Sequence, residues 1–96
     1  MPQNLKTIEN SAFNYCQSLE AVRLPDGLTS IGRRAFYDCR KLTRVFVPST
    51  VEYIGDEAFG NCSNVTVLVE KDSFAEQYCK EKAVRYKYIN TQEDFI

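Results

Sequence analysis

The sequence predicts an α/β solenoid in which short parallel β-strands stack into a ladder. Each repeat adds one helical turn, and a helix followed by a strand closes the C-terminal end. Three observations predict this class. Seven columns of residues recur at one constant spacing through three consecutive units. Each unit contains one short segment with strand-like alternation of apolar residues, and the period stops after Glu70, where a helical pattern begins.

The repeating unit is clearest in an Ala-Phe pair and a cysteine. Both columns recur every twenty-three positions, the pair at 12–13, 35–36 and 58–59 and the cysteine at Cys16, Cys39 and Cys62. The full pattern is P-x-x-[LV]-x-x-I-x-x-x-A-F-x-x-C-x-x-[LV]-x-x-[VL]. A unit of this length cannot bury its own apolar face, whereas stacked units place like residues side by side and build a continuous core. We therefore predict three repeats, at 2–24, 25–47 and 48–70.

One β-strand is predicted in each repeat, in the segments 19–24, 42–47 and 65–70. In the first of these, Val22 and Leu24 show the two-residue alternation, and Pro25 follows directly and ends the ladder pairing. Because each repeat contributes one strand, the strands should form a parallel ladder with about 4.8 Å between neighbours. A second apolar pair, Leu28 and Ile31 in the second repeat, then lines the opposite wall of the core.

The segment after the second apolar pair is predicted to bend sharply and then to form a helical turn. Gly32 and Gly55 follow the second apolar pair, where a tight bend is expected. The A-F-x-x-C motif predicts a single helical turn in each repeat. Its three phenylalanines, at Phe13, Phe36 and Phe59, should stack in the interior.

A helix and a strand are predicted after the repeats, at 71–89. Ser73 and Glu76 have the spacing of a capping box, in which a serine caps the helix N-terminus and a glutamate lies three residues on. The apolar residues of this helix share one face, Phe74, Ala75, Tyr78, Cys79 and Ala83. Residues 84–89 alternate like a strand, so this segment is expected to cap the last repeat. Residues 90–96 are predicted to be a loose tail.

The first repeat has no corresponding cap, because Pro2 already occupies a repeat column. Its apolar side chains would therefore form an exposed end, made by Leu5, Ile8, Phe13, Leu19, Val22 and Leu24. Such a patch is unusual on a monomer. Two interpretations stay open: a C-terminal piece of a longer array, which we favour, and self-association through the uncapped N-terminal repeat.

Composition excludes several classes of function. The 96 residues include twelve Lys and Arg against thirteen Asp and Glu, so the chain lacks the basic stripe that nucleic-acid binding requires. It contains no histidine, which rules out His-dependent triads, Cys-His dyads and His-ligated metal sites within this chain. No apolar run approaches the roughly 20 residues of a membrane span, and no signal-peptide pattern is present. We expect no nucleic-acid partner and no membrane insertion.

The four cysteines indicate packing more than chemistry. Cys16, Cys39 and Cys62 form a column of neighbours about 5 Å apart, whose parallel side chains suit a disulfide poorly. Small buried thiols are the favoured interpretation for this column and for Cys79. A zinc site has little support without histidine or a C-x-x-C pair, so no metal or cofactor is expected. A thiol enzyme using Cys79 stays as an alternative that needs a reactive, accessible thiolate.

The second and third repeats have net charges of opposite sign. The second repeat has a net charge of +3, five Lys and Arg against two Asp, and the third has −4, from four Asp and Glu. At the repeat spacing Arg33 should face Asp56 and Arg34 should face Glu57, as exposed ion pairs worth about 0.2–1 kcal/mol each. A catalytic acid and base formed by Asp56 and Glu57 is the weaker alternative, because the side chains of adjacent residues point in different directions.

The repeat pattern resembles that of the BspA-like leucine-rich repeat family, L-x-x-[IV]-x-L-P-x-x-L-x-x-I-G-x-x-A-F-x-x-C. Residues 31–36 and Cys39 match it most closely. Two positions depart from it. Glu9 stands where later repeats have glycine, and Glu70 stands at an inward column of the third strand. The register of that strand stays open, because an unpaired inward glutamate would be costly.

The resemblance implies a right-handed leucine-rich-repeat solenoid and a non-catalytic protein-interaction module of the adhesion type. It further implies a surface or secreted protein of the kind found in host-associated bacteria and some protists. The partner would be a protein, such as a host or matrix protein. A purely architectural role, as the terminal repeats and cap of a longer surface protein, is the alternative.

Leucine-rich repeat proteins usually bind through the outward positions of their strands. The candidate binding residues are Glu20, Arg23, Arg44, Phe46 and Val67. Phe46 beside Val67 would form an exposed apolar spot flanked by arginine, which is the composition of a modest binding hot spot. The alternative is that Phe46 rests on neighbouring strands. Arg40 and Lys41 extend the basic cluster and could meet an acidic partner or an anionic polysaccharide, or could be a solvated face.

Overall fold

The protein consists of two parallel β-sheets on either side of a continuous apolar core. A computed structural model describes residues 4–89. In chain order its elements are β1 (Thr7–Ile8), β2 (Ala21–Arg23), β3 (Ser30–Ile31), β4 (Arg44–Val47), β5 (Tyr53–Ile54), β6 (Thr66–Val69), α1 (Phe74–Lys82) and β7 (Tyr86–Tyr88). The strand order is β1-β3-β5 in one sheet and β2-β4-β6-β7 in the other, and every pair is parallel.

The strand register follows the sequence period through the first two repeats. Val22 pairs with Val45 between β2 and β4, so like positions of successive repeats lie side by side. The three-stranded sheet keeps the same step, since Ile31 pairs with Ile8 on one side and with Ile54 on the other. The predicted parallel ladder and its opposite wall are therefore confirmed for these strands.

The third repeat departs from the period by one position. Val67 rather than Leu68 pairs with Val45, and Val69 pairs with Val47, so the step between β4 and β6 is one position shorter than the repeat. Leu68 and Glu70 therefore do not continue the inward columns of the earlier repeats, and this answers the question of register that the sequence left open. The shorter step buries two valines and leaves the Glu70 side chain partly exposed, where its carboxylate accepts a hydrogen bond of 2.6 Å from the backbone N–H of Ser49. The cost of burying a carboxylate explains this register.

A ladder of phenylalanine rings runs through the core. The rings of Phe13 and Phe36 lie 5.3 Å apart and those of Phe36 and Phe59 lie 5.6 Å apart, and both pairs are nearly parallel. Phe36 is fully buried between its two neighbours, whereas Phe13 at the N-terminal end is only half-buried. The predicted stacking of like residues is confirmed.

The A-F-x-x-C motif forms two successive tight turns and not the predicted helical turn. In the second repeat the N–H of Ala35 donates to the carbonyl of Gly32, and the N–H of Tyr37 donates to that of Arg34. The intervening N–H of Phe36 donates to the carbonyl of Ala58 in the next repeat, 2.8 Å away. The backbone is left-handed at Arg34 and Asp38, which directs the N–H groups of alternate residues toward the next repeat. Their hydrogen bonds therefore link the repeats instead of closing a helix.

Gly32 and Gly55 are required by close contact between repeats. A Cβ atom on Gly55 would lie 2.5 Å from the backbone nitrogen of Arg33, and one on Gly32 would lie 2.5 Å from that of Asn10. The chain turns tightly after each glycine, as predicted, since the N–H groups of Ala35 and Ala58 donate to the carbonyls of Gly32 and Gly55. Neither glycine has a left-handed φ, so close packing and not backbone freedom accounts for glycine at these positions. Glu9 occupies this column in the first repeat, where none of the described residues approaches from the N-terminal side.

Helix α1 packs its apolar face on the last repeat. Ser73 caps its N-terminus as predicted, with its hydroxyl accepting from the N–H of Glu76, but the Glu76 carboxylate accepts from the N–H of Asp72. Ala75, Tyr78 and Cys79 are buried, whereas Phe74 and Ala83 of the predicted face are exposed. The helix ends at the left-handed Ala83.

One tyrosine hydroxyl attaches helix α1 to the repeats, and a second attaches strand β7 to α1. The buried Tyr78 hydroxyl donates to the carbonyl of Gly55, and the Tyr88 hydroxyl donates to the Glu76 carboxylate, 2.5 Å away. Strand β7 then pairs with β6 at the edge of the four-stranded sheet. The predicted tail, 90–96, lies outside the described residues.

Candidate functional site

The outward side of the four-stranded sheet is a basic surface, which we call the basic face. Alternation along β2, β4, β6 and β7 places eight residues on it, Ala21, Arg23, Arg44, Phe46, Thr66, Leu68, Arg85 and Lys87. Arg85 lies one residue before β7, and its carbonyl accepts a hydrogen bond from Val67. The four basic side chains are exposed, and none of these eight positions carries a carboxylate.

The floor of the basic face is apolar and closed. Phe46 and Leu68 are paired neighbours in its central row, with exposed fractions of 4% and 0%. The Arg23 guanidinium lies over the Phe46 ring, 4.8 Å from its centroid, in cation–π geometry. The expectation that Phe46 is an exposed apolar spot is therefore wrong, because the side chain rests against its neighbours while it points away from the main core.

Val67 does not belong to the basic face. It pairs with Val45, points into the core and is fully buried. Its predicted outward position is wrong because the shortened step between β4 and β6 exchanges the two sides of β6. Leu68, Arg85 and Lys87 are the residues of the face that the sequence interpretation missed. The inward Glu70 implied by a uniform period was the signal that could have revealed the shift.

Glu20 lies beside the face, directly before β2, and its side chain is exposed. Its carbonyl accepts hydrogen bonds from the N–H and the hydroxyl of Thr43, at 2.9 and 3.1 Å. The structure thus brings Arg23, Arg44 and Phe46 together on one surface, places Glu20 at its border, and excludes Val67.

A second surface is the apolar N-terminal end. A concavity of about 660 Å³ is lined there by Leu5, Ile8, Phe13, Leu19 and Val22, among others. The equivalent positions one repeat later, such as Leu28 and Leu42, are fully buried. The exposed apolar end expected from the sequence is present only in part, because Leu5, Phe13 and Leu19 are partly exposed whereas Ile8, Val22 and Leu24 are buried.

Comparison with protein families identifies the repeat. The model of the BspA type leucine rich repeat region (6 copies) matches residues 1–93, nearly the whole chain. The chain belongs to the BspA-type leucine-rich repeat family. No curated protein and no solved structure gave a significant match. BspA-type proteins are generally surface-associated, and leucine-rich repeats typically mediate protein–protein interactions without catalysis.

The cysteines of this BspA-type protein are free, and three of the four are buried. Cys39 and Cys62 are buried, and their thiols donate to the carbonyls of Phe13 and Phe36 at 3.1 and 2.9 Å. Burial raises the pKa of Cys39 to about 11 and that of Cys79 to about 12. Such thiols stay protonated near neutral pH and are poor nucleophiles.

The predicted ion pairs are formed in part. Arg34 and Glu57 approach to 3.6 Å, as expected, and both side chains are about half exposed. Asp56 contacts Lys82 of α1 at 3.9 Å and makes no ion pair with Arg33, so that pairing was wrong. Arg40 pairs with Asp38 at 3.0 Å.

Within residues 4–89, no group of three or more Cys, Asp or Glu side chains is arranged to hold a metal ion. The helix of this described part is too short and too polar to cross a membrane. Asp38 is a buried carboxylate, and its partners are structural, since its oxygen accepts from Arg40 and from the side-chain amide of Asn61 at 2.6 Å.

Proposed function

We propose that this BspA-type chain is a non-catalytic, adhesion-type interaction module that binds a protein partner through the basic face. The observation that carries the proposal is the concentration of four exposed cations, Arg23, Arg44, Arg85 and Lys87, among the eight outward sheet positions of residues 4–89. The sheet beneath is held by buried valines, so these side chains project from a fixed frame. Repeats 2–24, 25–47 and 48–70 supply the frame in this proposal, and 71–89 caps it.

The absence of catalysis is supported by the chemistry of the available groups. Histidine is missing from the whole chain, and burial raises the pKa of the Cys39, Cys62 and Cys79 thiols. A nucleophile would need a lowered pKa and access to solvent. The surface association of the family supports a location on the cell surface or outside the cell, with a host or matrix protein as partner.

The proposal is tested by affinity capture with three versions of the full chain as bait. The face variant Arg23→Glu/Arg44→Glu is compared with the wild type and with a control variant, Lys6→Glu/Arg33→Glu. The control makes the same change in charge beside the three-stranded sheet. We expect the specific partners of the wild type to be retained by the control and lost by the face variant. Equal retention by both variants would mean that binding does not use this face.

A second candidate is architectural and is favoured by the apolar N-terminal end. Here the concavity lined by Leu5, Phe13 and Leu19 packs against another repeat surface, in a longer array or in a second copy. Light scattering over a range of concentrations measures the solution mass of the chain. Self-association would be supported if the wild-type chain is a dimer and the Leu19→Asp variant is a monomer. A monomer whose amides in 4–24 are well protected would argue against any docking role for this end.

A further inference from the structure

We propose that the stacked A-F-x-x-C turns, which we call the turn column, end in a binding site for a single oxyanionic group, a carboxylate or a sulfate. The site lies in a concavity of about 350 Å³ between the third repeat and the segment that follows α1. Its main donors are backbone N–H groups that the repeat stack leaves without an acceptor. It shares only Arg85 with the basic face and does not rest on the proposed function.

The hydrogen bonds within the turn column all run in one direction. Three alternate N–H groups of the first repeat donate to carbonyls of the second, and the equivalent three of the second repeat donate to carbonyls of the third, at 2.7–3.1 Å. The six donors belong to Ser11, Phe13, Tyr15, Arg34, Phe36 and Asp38. The turns therefore contain three chains of hydrogen-bonded peptide groups whose dipoles point the same way, as in a helix. The N–H ends of these chains lie at the third repeat.

The third repeat ends these chains in unpaired donors. The equivalent residues there are Glu57, Phe59 and Asn61, and none of residues 4–89 accepts a hydrogen bond from their N–H groups. Helix α1 follows where a fourth turn would supply carbonyls. Phe59 is only 6% exposed and lines the concavity. A buried backbone donor without an acceptor is rare and costs about as much as a lost hydrogen bond, so this group points to a ligand.

The donors select a ligand that accepts hydrogen bonds without donating any. The carbonyls of the same turn, those of Asp56, Ala58 and Gly60, face the second repeat and accept from it. The open edge therefore offers N–H groups alone. An extended peptide would present its own N–H groups to this edge as well as carbonyls, and is poorly matched. An oxyanion accepts through each of its oxygens, and aligned peptide dipoles favour negative charge at their N–H end.

Side chains place the anion beside Asn61. The concavity there is also lined by Ser63 and Arg85, both exposed, and by no Asp or Glu. No carboxylate of residues 4–89 forms an ion pair with Arg85. A hydroxyl and a guanidinium can therefore add hydrogen bonds to the same group, and those from a guanidinium to an anion are the stronger. Glu57 lines the adjoining concavity together with Asp56, where two carboxylates disfavour an anion.

The experiment follows the backbone amide resonances of the full chain by NMR while sodium sulfate or sodium acetate replaces sodium chloride at constant ionic strength. The site variants are Arg85→Gln and Ser63→Ala. The control is Lys6→Gln, which removes the same charge as Arg85→Gln from the first repeat, at the opposite end of the stack. Circular dichroism verifies that each variant is folded.

We expect the amide protons of Phe59 and Asn61 to shift downfield and to saturate with sulfate or with acetate. Arg85→Gln should weaken the affinity at least about threefold and Ser63→Ala about twofold. Lys6→Gln should change it by less than about 1.5-fold. The anion with the lower dissociation constant identifies the natural group as a sulfate or a carboxylate. Two results would overturn the inference: amides of Phe59 and Asn61 that respond to neither anion, or an affinity that Arg85→Gln and Lys6→Gln change equally.

Discussion

At the residue scale, the column that contains Gly32 and Gly55 controls how closely the repeats approach. We predict that Gly55→Ala destabilises the fold by about 1–3 kcal/mol, because the added methyl group would meet the backbone of Arg33 at 2.5 Å. Glu9→Ala is the matched control in the same column, and it should change stability by less than about 0.5 kcal/mol. Urea denaturation gives both values, and an unchanged midpoint for Gly55→Ala would show that the repeats can separate freely.

The phenylalanine ladder gives a second residue-level prediction. Phe36→Leu should cost about 1–3 kcal/mol, because Phe36 is fully buried and stacks on a ring at each side. Phe13→Leu should cost less than about 1 kcal/mol, since Phe13 is half-buried and stacks on one side only. Thermal unfolding of the two variants measures the difference. Equal losses of stability would contradict the expectation that burial in the core increases away from the N-terminal end.

The reactivity of the thiols gives a third residue-level prediction. Reaction of the native protein with a chromogenic disulfide reagent should be slow at Cys39, Cys62 and Cys79, because all three are buried and burial raises the pKa of each. Cys16 is half-buried and should react first. All four should react at once after denaturation. Rapid reaction of native Cys79 would revive the thiol-enzyme alternative.

At the scale of single elements, strand β7 is linked to α1 by a hydrogen bond that depends on pH. The Tyr88 hydroxyl, followed by the N–H of Asp72, lowers the pKa of Glu76 by hydrogen bonding. A lowered pKa adds stability above the value in the unfolded chain, about 4.3, and this contribution is lost as pH falls through the folded-state value. The same bond raises the pKa of Tyr88 to about 12. Its contribution is present below about 10 and lost as pH rises through the higher value.

We therefore predict that Tyr88→Phe removes part of the acid dependence of stability. The free energy of unfolding, measured by urea denaturation between neutral and acidic pH, should fall less steeply for the variant than for the wild type. Tyr53→Phe is the control, since Tyr53 is exposed in β5 and belongs to the other sheet. Parallel pH profiles for Tyr88→Phe and the wild type would show that Glu76 owes its stabilisation to other groups.

Strands and turns differ in how well the sequence predicts them. Val22 and Val45 were placed correctly, because a strict period forces like residues into one column. Strand β6 was misplaced because its step from β4 is one position shorter than the repeat, and a pattern with a constant period does not show this. The shorter step exchanges Val67 and Leu68 between the two sides of the sheet. The A-F-x-x-C turn was misassigned because its hydrogen bonds run between repeats, as from Phe36 to Ala58, and local spacing carries no record of them.

At the scale of the whole molecule, stability should rise from the N-terminal end toward the middle of the array. Each repeat contacts only its neighbours, so within residues 4–89 the first repeat has one stabilising interface and the second has two. We predict that backbone amides of β2 exchange with deuterium faster than those of β4, because β2 is an edge strand and β4 lies between two partners. Uniform exchange would indicate that the stack unfolds as one unit or that another surface covers its end.

The sequence predicted only some of the residues of the basic face. Arg23 and Arg44 were identified because their strands keep the period. Lys87 was missed because β7 follows the helix and lies outside the repeat, so only its pairing with β6 brings it beside Leu68. Binding surfaces of this kind depend on contacts between non-equivalent segments, which a periodic pattern does not describe.

The glycine column also determines how this array can be lengthened. A duplicate of residues 25–47 carries Gly32 and could be inserted between the second and third repeats, adding about 4.8 Å to each sheet. A duplicate of residues 2–24 placed there would bring the Cβ of Glu9 against the backbone of the preceding repeat and should fail to stack. The second repeat is thus the transferable building block for designed arrays, and the first unit is suited only to a terminus.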